Sequence, residues 1–146
     1  MLHGVHPLLP GELLAALDRL GHGEEFVVAD ANFPAYGVGV IVVELPGIGA
    51  PELVHAIRTV IPLDTYEGAS FLLMTSEDTE RPPVQHELIA AAQSDAGRVE
   101  SLERFAFYER AANAKLVVRS GERRAYGNCI IRKGVVNAGD CWTLAP

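Results

Sequence analysis

Phe26-Val27-Val28-Ala29 is an unbroken apolar run between Glu25 and Asp30. It is too short and too rich in β-branched residues for a helix, so it reads as a buried strand. Ser70 to Thr75 (Ser-Phe-Leu-Leu-Met-Thr) is a second continuous run. Strands of this kind are covered on both faces, and the covering layers are normally helices. The intervening stretches carry that pattern. A helix opens at Pro10-Gly11-Glu12, with Leu13, Leu14, Leu17 and Leu20 on one stripe, and Gly21 is placed to end it with a positive φ. A second opens at Pro51, buries Leu53, Val54, Ile57, Val60 and Ile61, and stops at Pro62. A third runs from about Pro83 to Ser94, and a fourth covers Arg104 to Asn113, with Phe105, Tyr108 and Ala112 on one side.

Further strands are expected at Val40 to Glu44, Val99 to Leu102, Lys115 to Arg119 and Tyr126 to Arg132. Helices alternating with strands predict an α/β fold on a parallel or mostly parallel sheet. The 146 residues fit a single domain (1–146), with a partly ordered tail from Val136. Gly37-x-Gly39 lacks the third glycine of a dinucleotide fingerprint and the Gly-Lys-Ser/Thr of a phosphate loop, so no nucleotide cofactor is expected.

Charge narrows the partners. A net charge of -7 and the absence of a basic face with interleaved aromatics argue against nucleic acid. No apolar run approaches the roughly 20 residues needed to cross a bilayer, so no membrane partner is expected. The start of the chain lacks a signal-peptide pattern. Cys129 and Cys141 stand alone, without CxxC spacing, which suits a cytoplasmic protein with reduced thiols and no zinc. His3 and His6 have HxxH spacing, but Gly4 and Pro7 oppose a helix there, and no metal site is expected. His55 and His86 fall within helices, in surface or cap roles.

His22 is different. Glycines on both sides let the backbone approach a ligand, and imidazole exchanges protons near neutral pH. Asp30 stands where the first strand stops, and strand carboxyl ends are where open α/β sheets bind ligands. On residues alone the pair remains open between a site and a structural cap.

Two later stretches, Arg104-Phe-Ala-Phe-Tyr-Glu-Arg and Ser120-Gly-Glu-Arg-Arg-Ala-Tyr-Gly-Asn, join Leu20-Gly-His-Gly-Glu and Ala29-Asp-Ala-Asn-Phe-Pro. Together they resemble the fucose mutarotase and ribose pyranase family, in register from Pro7 to Val135, and favour its fucose branch. The resemblance implies a three-layer α/β/α sandwich of Rossmann-like character, assembled as a ring-like homodecamer with sites at subunit contacts. It implies an isomerase that exchanges the α and β anomers of a reducing monosaccharide, L-fucose being the usual one. No cofactor and no metal are implied. The family's catalytic histidine falls on His22 and its ligand-binding aspartate on Asp30. Its arginine falls on Arg104 and its Tyr-x-Asn pair on Tyr126 and Asn128. Asn32 stands where some relatives carry histidine, so a general base must come from elsewhere.

The chemistry suits these residue types. Opening the hemiacetal needs a proton delivered to the ring oxygen and one removed from the anomeric hydroxyl. His22 is the expected donor, and Asp30, Arg104 and Asn128 would hold hydroxyls. Tyr126 would bond a hydroxyl or relay a proton. Pyranose–furanose exchange of ribose uses the same ring opening, and a non-catalytic sugar-binding module would need the same contacts without His22.

Overall fold

The computed structural model describes residues 2–38, 40–137 and 139. Gly39 and most of the expected tail, including Cys141, lie outside the described residues. Six strands form one mixed sheet: β1 (Glu25–Ala29), β2 (Ile41–Leu45), β3 (Phe71–Met74), β4 (Val99–Leu102), β5 (Leu116–Ser120) and β6 (Cys129–Arg132). Their spatial order is β2-β5-β1-β6-β3-β4. Five run in one direction, and β6 lies antiparallel between β1 and β3.

Four helices cover the sheet: α1 (Gly11–Asp18), α2 (Ala50–Arg58), α3 (Pro83–Ala92) and α4 (Arg104–Asn113). Strand residues alternate between two cores, as the pleat requires. Phe26, Val28, Leu73, Val118 and Ile131 pack under α1, α2 and α3, together with Leu13, Leu53, Ile57 and Leu88. Val27, Ala29, Leu72, Val117 and Ile130 face the other way, against Phe107 and Ala111 of α4. The α/β class and its three layers therefore stand as the sequence predicts.

Several local details differ. The helix stops at Asp18, with Arg19 as its cap, so Gly21 does not terminate it and takes no positive φ; Gly23 does, at 79°. α4 buries Phe107 and Ala111 and leaves Phe105 75% exposed, so the Phe105 side is not its packing face. β6 starts at Cys129 instead of Tyr126, because Tyr126 sits at φ 62° in a turn that no strand can continue through. β5 and β6 flank β1 on opposite sides, so residues 121–128 must cross the carboxyl end of β1. That crossing positions the site residues. Among the described residues no helix is long and apolar enough to cross a membrane.

Candidate functional site

The predicted site residues fall on two opposite edges of the sheet. Asp30 follows the carboxyl end of β1, Arg104 opens α4 just beyond the carboxyl end of β4, and Tyr126 and Asn128 precede β6. Since β6 runs against its neighbours, its start lies on the same edge as the ends of β1 and β4. His22 precedes β1 and lies on the other edge. A five-residue strand separates the two by roughly 13 Å at about 3.3 Å per residue. Within one chain the structure does not bring His22 to the others.

On the carboxyl edge, Asp30 and Asn128 lock to each other. The Asp30 amide donates to Asn128 Oδ1 at 2.7 Å, and Asn128 Nδ2 donates to Asp30 Oδ2 at 2.8 Å. The Asn32 amide donates to the other Asp30 oxygen at 2.9 Å. Both side chains are buried, and each keeps acceptor or donor capacity beyond these bonds. The crossing loop is fastened to the same corner. The Ala31 amide donates to the Glu122 carbonyl at 2.8 Å, and Ser120 Oγ donates to the Ala29 carbonyl at 2.7 Å.

The Glu122 carboxylate, nearly enclosed, accepts from the amides of Arg123 and Arg124 and from the Arg124 guanidinium. The Arg124 guanidinium hydrogen bonds overcome its burial and hold the Glu122 carboxyl down at about 2. Arg124 also grips Glu87 of α3 through two bonds, at 2.7 and 2.9 Å. Arg104 is exposed and lies 5.8 Å from the Tyr108 ring centroid; among the described residues its guanidinium makes no ion pair. Tyr108 in turn packs on Phe33, three residues past Asp30. The four expected ligand-binding residues thus share one edge.

On the opposite edge the turn around His22 is fixed from several directions. The Gly21 amide donates to Glu24 Oε2, the Gly23 amide to the Lys133 carbonyl, and the Lys133 ammonium to the Leu20 carbonyl. The imidazole Nε2 lies 3.2 Å from Asp64 Oδ1, with 47% of the His22 side chain exposed and 4% of Asp64. Burial alone would raise the Asp64 carboxyl, but the Tyr66 amide, His22 and Arg132 outweigh it and hold it below the usual carboxylate range. An ionised carboxylate can only accept, so Nε2 carries the hydrogen and Nδ1 is left to exchange a proton with a ligand. The Tyr66 ring packs edge-on to the imidazole, with centroids 5.2 Å apart. A cavity of about 740 Å³ opens here, lined by His22, Asp64, Tyr66, Arg110, Lys115 and Arg132 among others, and by none of the carboxyl-edge set.

Asp64 escapes a sequence reading. It follows the proline that ends the second predicted helix and carries no motif. Its partnership with His22 spans 42 positions and exists only because the bridge of Leu63 to Lys133 brings the segment beside β6. The single available signal is a carboxylate and an aromatic, Asp64 and Tyr66, in an otherwise unassigned loop.

Comparison with known proteins adds the context. Residues 3–136 match the model of the RbsD / FucU transport protein family. An L-fucose mutarotase of Actinobacillus pleuropneumoniae is 42% identical over 140 residues, covering 92% of this chain and 97% of that one. The human fucose mutarotase is 43% identical over 145 residues, covering 92% and 94%. The crystal structure of the Streptococcus pneumoniae fucose mutarotase in complex with L-fucose superposes with a TM-score of 0.86 at 32% identity, covering 93% of this chain and 100% of that one.

Proposed function

The chain belongs to the RbsD / FucU family, and on that footing we propose that it is an L-fucose mutarotase, an isomerase that interconverts the α and β anomers of the sugar. The observation that carries this reading is 42% identity to an L-fucose mutarotase across 92% of the chain. The geometry supplies the chemistry. His22, in its doubly protonated form and held through Nε2–H by Asp64, gives the proton on Nδ1 to the ring oxygen as the bond between that oxygen and the anomeric carbon breaks. The anomeric hydroxyl gives up its proton in the same step to the Tyr126 phenol oxygen, which releases its own proton to solvent water, so the proton lost by His22 is balanced by the one that reaches solvent. The open-chain aldehyde turns about its bond to the next carbon and closes on its other face, with both proton movements reversed.

Arg104 and Asn128 hold hydroxyls while the ring is open, and Asp30 aligns Asn128 as well as accepting from the sugar. The Asp64 carboxylate keeps the imidazole in the tautomer that presents Nδ1.

The proposal includes the assembly. His22 and the set of Asp30, Arg104, Tyr126 and Asn128 stand on opposite edges, so a working site draws His22 from one copy and the rest from a neighbour. A ring-like homodecamer in the cytoplasm, with every site at a subunit contact, provides that arrangement for all copies.

Saturation transfer between the two anomeric protons of equilibrated L-fucose tests the activity without a product assay. The protein accelerates transfer on fucose, and more than it accelerates exchange on ribose. Acceleration confined to ribose would make it a pyranase instead. Silence on both sugars, with binding retained, would leave a sugar-binding module.

A further inference from the structure

Tyr126 occupies an unusual backbone state. Its φ of 62° places a residue with a bulky side chain in the left-handed region, where the β-carbon crowds the backbone. Such a conformation persists only where surrounding groups over-determine it, and it sits at the residue to which the proton relay is assigned. The next position allows little relief. A β-carbon at Gly127 would stand 2.7 Å from Glu122 Cγ, 3.2 Å from the Arg124 carbonyl oxygen and 3.4 Å from Val84 Cγ2.

The group that holds this state is on α3. Gln85, 2% exposed, sends one amide bond of 2.7 Å to the Met74 carbonyl at the end of β3 and another of 3.2 Å to the Tyr126 carbonyl. A primary amide brings two uncharged donors to one buried point, which ionised Glu and apolar Met do not. Without it both carbonyls lose these partners. The bond to the Tyr126 carbonyl fixes the plane of the 126–127 peptide, and with it the direction in which the Tyr126 side chain leaves the backbone. Asn128 is anchored separately by Asp30. The Tyr-Gly-Asn segment is thereby clamped at both ends, by α3 on one side and by the corner of β1 on the other.

We propose that Gln85 is a positioning residue for anomer exchange, acting through Tyr126 by pinning its carbonyl and so the aim of its phenol. The inference rests on the reading of Tyr126 as a proton relay. Gln85, 2% exposed, is placed to act through the backbone of Tyr126 and not by contact with a sugar.

The test is a double-mutant cycle read by saturation transfer on L-fucose at several sugar concentrations, using the full-length protein. Gln85→Met matches the volume and removes both donors. It is expected to lower kcat by about tenfold, with KM changed by less than about twofold, since misaimed catalytic groups lose rate more than binding. In the Tyr126→Phe background the same substitution is expected to cost less than about twofold, because there is no phenol left to aim. Equal losses in both backgrounds, or no loss in either, would overturn the proposal while leaving Tyr126 as the relay. A Tyr126→Phe protein at the wild-type rate would remove the relay, and this inference with it.

Should Gln85→Met fail to fold, Gln85→Glu carries the question. A neutral carboxyl keeps one donor and an ionised one keeps none, so its rate relative to wild type must rise as pH is lowered. A ratio flat with pH would contradict the proposal.

Discussion

The Asp64 contact decides which nitrogen of His22 can work. Because the carboxylate is held ionised, Nε2 is committed as a donor, and in the proposed mechanism Nδ1 is the nitrogen that passes a proton to the sugar. Asp64→Asn removes the charge that favours this tautomer while keeping the shape. It is expected to slow exchange roughly tenfold, a fraction of the 10²–10⁴ that a positioned acid contributes. Saturation transfer on L-fucose measures this directly, and a wild-type rate would detach Asp64 from catalysis. His22 was legible in the sequence through its flanking glycines and its motif. Asp64 was not, because a hydrogen bond across 42 positions leaves no local pattern.

The loop that crosses β1 is the element that holds Tyr126 and Asn128 beside Asp30. Its entry is close-packed: a β-carbon at Gly121 would lie 2.1 Å from the Pro46 carbonyl oxygen, so backbone would have to move. Gly121→Ala should therefore cost about 2 kcal/mol or more, within the range of overpacking, seen as a fall in Tm. An unchanged Tm would mean that the close approach is not required. The Glu122 carboxyl, held at about 2 against an ordinary 4.5, makes the same loop acid-sensitive. A depressed carboxyl stabilises the fold in full above its unfolded value and loses that contribution as pH falls from about 4.5 towards 2. Discounting for the exposed Arg124 partner leaves about 2 kcal/mol at stake. Urea midpoints should fall over this window in wild type and much less in Glu122→Gln; parallel curves would remove the clamp. The strands and helices around this loop could be placed from their apolar periods. The loop itself could not, since its order comes from Glu122, Arg124 and Glu87 meeting across two elements.

At the scale of the molecule, the chain carries the expected site residues as two groups on opposite edges of one sheet. Four motifs carried every expected site residue, and the sequence placed His22 and Asp30 at the two ends of one strand. What periodicity could not supply was which edge each later residue would join. That depends on β6 lying antiparallel beside β1, a pairing across about a hundred positions. The most direct test is to co-express His22→Ala with Tyr126→Phe in equal amounts and measure saturation transfer on L-fucose. His22→Ala alone should be close to the uncatalysed rate, and Tyr126→Phe alone far below wild type but still measurable. If the two half-sites meet between copies, random assembly restores intact sites at about a quarter of the contacts, and exchange returns to about a quarter of the wild-type rate. A mixture no faster than its two components would contradict the shared site and the catalytic assignment built on it.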